Sequence, residues 1–154
     1  SCIKDDESET INYINVNSQI PTFAVEDTAG NTFSSKQFIG KQSLLVFFGT
    51  YCPDCKQVLP VIEEVWKELK DDPRFLLVTI SRKETAEVVS NYWKENQFTM
   101  PFYLDTRGEV FSLFANNTIP RIYIINPDNE VVWMAVESLD ISAKELIQKI
   151  KGLK

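Results

Sequence analysis

An apolar stretch that runs almost directly into two cysteines constrains this chain more than any other feature. Residues 44–48 are continuously hydrophobic, as in a strand covered on both faces, and a Cys-Pro-Asp-Cys motif follows at 52–55. Apolar residues then recur with the spacing of one helix face, which predicts a helix over 53–70. A second buried-type strand at 75–80 completes a βαβ unit with a parallel strand pair and a right-handed crossover. The sequence therefore predicts an α/β fold.

The position of the two cysteines indicates redox chemistry. A thiolate attacks a disulfide only when it is ionised and reachable, and a strand that ends at the first turn of a helix favours both conditions. Cys52 is the predicted nucleophile, and Cys55, one helical turn later, is the predicted resolving thiol. Asp54 should repel a Cys52 thiolate and raise the pKa of that thiol, which favours a reductant or isomerase. The alternative is that Asp54 points into water and has little effect.

Composition excludes several classes of protein. The 154 residues, 44% of them hydrophobic, suffice for one domain with a sizeable core. The net charge of −6, without a cluster of lysines or arginines, argues against nucleic acid or an anionic membrane surface as the main partner. The chain contains no histidine, which rules out Cys-His hydrolases, Ser-His-Asp triads and histidine-ligated metals. A zinc site at the cysteine pair would need two further ligands, from Cys2 or carboxylates, so no metal or bound cofactor is expected.

The remaining pattern predicts a tether followed by a single domain. Residues 1–18 are polar and acidic and are predicted to be a flexible tether or a loosely docked lead-in, with the domain spanning 19–154. Further elements are expected as follows: a β-hairpin over 23–33, a helical turn capped by Ser34 and Gln37, a helix over 83–96 with Val88, Val89, Tyr92 and Trp93 on its inner face, a strand at 102–104, a helical turn at 110–114, paired strands at 121–125 and 130–134, and a final helix capped by Ser142.

Four features of the chain together resemble a known family. They are the order of these elements, the CxxC at a strand-to-helix junction, Pro60 five residues after the second cysteine, and Ile119-Pro120 before an apolar strand. The chain is similar to the thioredoxin-like fold, and most closely to its TlpA/ResA-like branch of extracytoplasmic thiol-disulfide oxidoreductases. The matching segments are 21–23, 30–31, 45–60, and 118–125 followed by Asp128. The resemblance covers about residues 19–150. It implies a central mixed sheet flanked by helices, with an N-terminal β-hairpin extension and an inserted helical stretch.

The resemblance also implies a substrate groove. In the family, the proline that corresponds to Pro120 is cis and lies against the active-site cysteines, and the preceding residue offers its backbone to an extended substrate. Ile119 and Pro120 are therefore expected to bind substrate, together with Tyr51, Pro53 and Asp54 around the motif. Without the cysteines, Pro120 would be read as the start of an edge strand.

Two departures from the family concern proton transfer. Relatives carry a buried carboxylate either six residues before the first cysteine or three residues after the second, whereas this chain has Val46 and Val58. A nearby carboxylate would act as general base for the resolving thiol. That step is expected to rely on solvent, or on Glu63 or Glu64 brought round by a kink at Pro60.

The first residues suggest a membrane anchor. Ser1-Cys2 before an acidic tether resembles the cleavage region of a bacterial lipoprotein, in which the cysteine is lipidated. An unmodified thiol at Cys2 is the alternative. The expected location is extracytoplasmic, in the bacterial periplasm or cell envelope, with membrane contact only through this anchor.

The predicted function is reduction or isomerisation of protein disulfides outside the cytoplasm. The resemblance implies disulfide-containing protein substrates, apocytochromes among the candidates, and a membrane thiol reductase as electron donor. A peroxiredoxin-related peroxide reductase is disfavoured, because the PxxxTxxC pattern would need a proline at Leu45 and a threonine at Gly49. A non-catalytic thioredoxin-like module that binds proteins is the other alternative.

Overall fold

The structure, a computed structural model, describes residues 8–137 and 140–153. Its helices and strands follow the predicted order: β1 Ala24–Glu26, β2 Thr32–Ser34, β3 Gln42–Phe48, α1 Pro53–Leu69, β4 Phe75–Arg82, α2 Ala86–Glu95, β5 Tyr103–Asp105, β6 Arg121–Ile125, β7 Val131–Val136 and α3 Ala143–Lys151. Two short 3₁₀ turns, Ser35–Phe38 and Phe111–Leu113, lie where the sequence predicts helical turns. The predicted capping box of Ser34 and Gln37 is present.

All seven strands join one mixed sheet in the order β2-β1-β5-β4-β3-β6-β7. The strand that leads to the cysteines, β3, lies inside the sheet and is buried along its whole length. It pairs in parallel with β4, as the βαβ prediction requires, and antiparallel with β6. The predicted N-terminal hairpin is β1 with β2, and β1 joins the rest of the sheet through β5. The predicted thioredoxin-like architecture is confirmed.

The end of β3 is packed on both faces of the sheet. Successive strand residues point to opposite faces. Phe48 packs against Trp93 of α2, with ring centroids 5.1 Å apart. On the other face, Phe47 contacts Phe111 and Phe114 at centroid distances of 5.4 and 4.9 Å. Each buried aromatic side chain removes a large apolar area from water, so the strand end from which the CxxC motif emerges is firmly held.

Helix α1 has the start and the inner face that the sequence predicts. Cys52 is its N-cap and Pro53 lies in the first turn, where a missing N–H costs nothing. Its buried apolar side chains follow the helical period: Val58, Leu59, Ile62, Val65 and Leu69. Full burial of such a side chain contributes roughly 1.5–3 kcal/mol. No helix in the described part of the chain combines the length and apolar character needed to cross a membrane.

Helix α2 differs from its prediction at the N-terminus. The side chain of Thr85 accepts a hydrogen bond from the Val88 N–H, so the helix begins directly after Thr85. Lys83, the predicted first residue, has a φ of 59°, in the left-handed region. Val89 and Trp93 are buried as predicted, but Val88 is 47% exposed and its prediction as an inner-face residue is wrong. Val88 lies about 100° around the helix from Val89, on the side that faces solvent.

Residues 8–18 form a segment, called here the N-terminal strap, that is hydrogen-bonded to the domain. The Tyr13 N–H donates to the Phe114 carbonyl at 2.8 Å. The Asn117 side-chain amide donates to the Ser8 carbonyl at 3.0 Å. The sequence predicts a tether up to residue 18, whereas the docked chain extends back to Ser8. Residues 1–7, including the predicted lipidation site Cys2, lie outside the described residues.

Candidate redox site

The two cysteines of the CxxC motif lie together at the N-terminus of α1. The Cys55 backbone N–H donates a hydrogen bond to Cys52 Sγ at 3.3 Å, which is the N-cap contact of the helix. Cys55 is a buried thiol. The expected accessibility of Cys52 is not seen, because its side chain has 0% exposure. This contact places Cys52 Sγ at the N-terminus of α1, the end of a helix where negative charge is favoured.

The loop before β6 lies beside Cys52. The Ile119-Pro120 peptide bond is cis, as the resemblance implies. The Ile119 carbonyl oxygen is 3.9 Å from Cys52 Sγ. Both Ile119 and Pro120 are buried, and the Pro120 carbonyl accepts the Glu137 N–H at 3.0 Å. The fold thus brings together two parts of the predicted site that are 67 residues apart in sequence.

A buried arginine holds this loop, and sequence analysis missed it. Arg121 has 0% exposure and follows Pro120 directly. Its guanidinium donates to the carbonyls of Thr118 and Asn117, both at 2.8 Å, and to the Asn12 side chain of the N-terminal strap at 2.7 Å. The five N–H groups of a guanidinium suit such multiple anchoring. The sequence signal that could have identified Arg121 is its position as a charged residue at the start of an otherwise apolar strand.

The exposed side of the motif is formed by Tyr51 and Pro53. The Tyr51 side chain is 42% exposed, and its hydroxyl donates to the Arg82 carbonyl at 3.3 Å. Its ring lies over Gly49, where an added Cβ would be 2.7 Å from two ring carbons and 3.1 Å from the Ile119 side chain. Gly49 is therefore required for this ring position. Pro53 is exposed at the first position of α1.

Asp54 is buried, which excludes the alternative that it points into water. Its exposure is only 9%. Burial is the main reason that the pKa of the Cys55 thiol rises to about 12; the charges of Asp54 and Glu84 contribute to the rise, and a hydrogen bond to the Gly49 backbone opposes it. At neutral pH Cys55 is therefore held as the protonated thiol. The expected effect of Asp54 on Cys52 stays a prediction.

The two acids proposed as replacement bases do not serve the cysteines. Val46 and Val58 are buried, and each takes the place of a family carboxylate. Glu63 instead accepts the backbone N–H of Thr99 at 2.9 Å and holds a distant loop. Glu64 is exposed on the outer face of α1. Both predictions are wrong because the helix directs these side chains elsewhere. Among the described residues, no three Cys, Asp or Glu side chains are grouped so that they could hold a metal ion.

A different carboxylate, Glu84, lies beneath the motif. It follows β4 and is only 8% exposed. It accepts the Thr50 N–H at 2.9 Å, the Thr50 hydroxyl, and the Ser81 hydroxyl at 2.7 Å. Because Thr50 is two residues before Cys52, this carboxylate lies next to the redox loop. Sequence analysis missed Glu84, although active sites of α/β sheets lie beyond the carboxyl ends of the strands, where Glu84 stands.

Comparison with known proteins agrees with this geometry. The model of the Redoxin family matches residues 15–147. This chain belongs to the Redoxin family. The thiol-disulfide oxidoreductase ResA of Bacillus subtilis is 30% identical over 119 residues, which are 77% of this chain and 66% of that protein. The alignment thus spans about two thirds of the relative's length.

Two solved structures also resemble this member of the Redoxin family. A candidate protein disulfide isomerase from Bacteroides thetaiotaomicron has a TM-score of 0.88 at 25% identity, with 95% of this chain and 94% of that chain covered. A thiol:disulfide interchange protein of the thioredoxin family from Chlorobium tepidum has a TM-score of 0.75 at 25% identity, with 89% and 96% covered. The predicted resemblance to ResA-like thiol-disulfide oxidoreductases is confirmed.

Proposed function

We propose that this protein is a thiol-disulfide oxidoreductase that reduces or isomerises protein disulfides outside the cytoplasm. Cys52 attacks a substrate disulfide, which breaks the substrate S–S bond and forms a mixed disulfide. Cys55 then attacks Cys52 Sγ, so that the Cys52–Cys55 bond forms and the second substrate sulfur leaves as a thiolate. The two electrons pass from the dithiol to the substrate, and no bound cofactor is required.

The observation that carries this proposal is the contact between the Cys55 N–H and Cys52 Sγ beside the cis-proline loop. It places Cys52 Sγ at a helix N-terminus, where negative charge is favoured, with a second thiol one turn away. We assign substrate binding to the exposed Tyr51 and Pro53, to Asp54, and to Ile119 and Pro120. The burial of Cys52 means that a substrate must displace the surface that covers this sulfur.

The charges around the motif favour the reducing direction. Strong disulfide oxidants owe their strength to a stabilised thiolate in the reduced form. Here the buried carboxylates of Asp54 and Glu84 disfavour a thiolate at Cys55, and no histidine is available to favour one. The Cys52–Cys55 dithiol therefore donates its electrons readily to a substrate disulfide.

The cellular setting is inferred from the ResA-like relatives. We place the protein outside the cytoplasm of a bacterium, in the periplasm or cell envelope, with a lipid on Cys2 as its anchor. Its substrates are disulfide-containing proteins, with apocytochromes as one candidate class, and a membrane thiol reductase supplies electrons. Mass spectrometry of the native protein tests the anchor, and an unmodified Cys2 would rule out lipidation.

Trapping and potentiometry test the redox function. The Cys55→Ala variant should accumulate a mixed disulfide between Cys52 and insulin, whereas Cys52→Ala should accumulate none through the motif. The wild type should reduce insulin with dithiothreitol, and its reduction potential should lie at or below about −180 mV, the range of isomerases and reductants. Failure of both trapping and insulin reduction would favour the protein-binding module. A potential near −120 mV, typical of a strong oxidase, would refute the reducing direction.

A further inference from the structure

The resolving step needs a proton acceptor, and the usual positions for one are apolar in this chain. Burial holds Cys55 as a thiol with a pKa of about 12, so its thiolate is a very small fraction at neutral pH. Val46 and Val58 cannot accept a proton, Glu63 is bound to the loop at Thr99, and Glu64 is exposed. A base for Cys55 must therefore come from elsewhere in the fold.

Glu84 has the surroundings of such a base. Within the described residues, the groups that donate hydrogen bonds to this buried carboxylate are Thr50 and Ser81, both of them neutral. A carboxylate has about four lone-pair sites, and these three bonds leave one of them open. Burial of a carboxylate is costly unless its oxygens are hydrogen-bonded, and the donors Thr50 and Ser81 meet that requirement for Glu84.

Glu84 is linked to the resolving thiol through the backbone before the motif, because it accepts the Thr50 N–H at 2.9 Å and the preceding residue, Gly49, makes a backbone hydrogen bond to Cys55. The Glu84 charge raises the pKa of Cys55, and Asp54 of α1 acts in the same sense. Tyr92 of α2 responds to both groups: burial raises its pKa, and the charges of Cys55 and Glu84 raise it further. The Glu84 charge thus acts on Cys55 of α1 and on Tyr92 of α2.

We propose that Glu84 accepts the proton of Cys55 when the mixed disulfide is resolved. The Cys55 sulfur attacks Cys52 Sγ and transfers its proton to the Glu84 carboxylate, directly or through one water. The bond between Cys52 and the substrate sulfur breaks, and the substrate leaves as a thiolate that later takes up a proton. This inference rests on the proposed oxidoreductase cycle and assigns its general base. Thr50 and Ser81 are positioning residues that hold the carboxylate in place.

A reaction with Ellman's reagent separates the two chemical steps. In a Cys2→Ser background, attack by Cys52 on the reagent releases one coloured thiolate, and attack by Cys55 on the resulting mixed disulfide releases a second. Glu84→Gln preserves the size and the hydrogen-bonding oxygen of the side chain but removes its basicity. At pH 7 we expect this variant to slow the second release by about 10²-fold or more, in the range of general-base effects, and to leave the first release within about twofold.

The pH profile and two control variants distinguish proton transfer from a structural role. In Glu84→Gln the second release should increase about tenfold per pH unit from pH 6 to 9, because only the free thiolate then reacts, and the wild-type profile should be flatter. Glu63→Gln, a change at another buried carboxylate, should leave both releases near the wild-type rates. Thr50→Val removes one hydrogen bond to Glu84 but keeps its charge, and should slow the second release by less than about fivefold.

Three results would overturn the inference: a second release at the wild-type rate in Glu84→Gln, an equal loss in Thr50→Val, or a loss confined to Asp54→Asn. Absence of the first release in the parent protein would instead refute the proposed oxidoreductase function. Circular dichroism of each variant verifies that it is folded, and the unchanged first release reports an intact motif.

Discussion

The buried thiol of Cys55 predicts a loss of stability in alkaline solution that can be calculated from the structure. The pKa of a cysteine thiol is about 9.0 in an unfolded chain, and the fold raises it to about 12. The folded protein keeps this proton while the unfolded chain releases it. The contribution is therefore fully present below pH 9 and is lost as the pH rises towards 12.

The size of this effect follows from the free energy of one pKa unit, about 1.36 kcal/mol. The full shift corresponds to about 4 kcal/mol by pH 12. Between pH 8 and pH 10 the same relation gives a loss of about 1.4 kcal/mol, because only the unfolded chain titrates in that interval.

Urea unfolding at pH 8 and pH 10, in a non-thiol reductant, measures this loss. Wild type and Cys55→Ala are compared, because tyrosines and lysines titrate in both proteins and their effects cancel in the difference. Wild type should lose about 1.4 kcal/mol more than the variant between the two pH values. Parallel losses in the two proteins would refute the conclusion that the fold holds Cys55 protonated. The measurement involves no catalytic step, so it is independent of the proposed function.

Two further substitutions test the surroundings of the motif. Gly49→Ala should push the Tyr51 ring outward, and because that side chain is partly exposed we expect a stability loss of no more than about 1 kcal/mol. Reduction of insulin should be severalfold slower in this variant, and Tyr51→Ala should show the same loss. An unchanged rate would show that the ring position is unimportant for the reaction. Arg121→Met should lower the free energy of urea unfolding by about 2–4 kcal/mol, because two buried loop carbonyls lose their donor, and a loss under about 1 kcal/mol would contradict its role as the anchor of that loop.

The elements that the sequence predicts well are those defined by apolar periodicity. The unbroken apolar run of β3 and the helical spacing in α1 depend only on which residues avoid water, and the order of strand, helix and strand then determines a parallel pair. The single error of this kind, Val88, arises at a helix end, where one capping side chain sets the phase of the helix. The redox motif and the cis proline were recognisable because both are short, specific patterns.

The parts that could not be predicted depend on polar contacts across long stretches of chain. Glu84 and Thr50 are 34 residues apart, and Arg121 and Asn12 are 109 apart. The sequence does not distinguish a buried glutamate or arginine from an exposed one, because a single polar residue leaves the apolar pattern unchanged. The docking of the strap escapes prediction for the same reason, since its contacts are polar: the Thr10 hydroxyl donates to the Asn117 side chain, and the Asn12 side chain accepts from Arg121.

The attachment of the strap limits how far the redox site can stand from whatever holds residue 2. Ser8 is bound by the side chain of Asn117, two residues before Ile119, whose carbonyl oxygen is 3.9 Å from Cys52 Sγ. Six residues of fully extended chain reach only about 20 Å. An anchor at Cys2 would therefore hold the side of the domain that carries the cysteine pair close to the anchoring surface. Substrates would then react close to the surface that bears the anchor. A longer linker, made by inserting residues between positions 2 and 8, would increase the distance from the anchor that the redox site can reach.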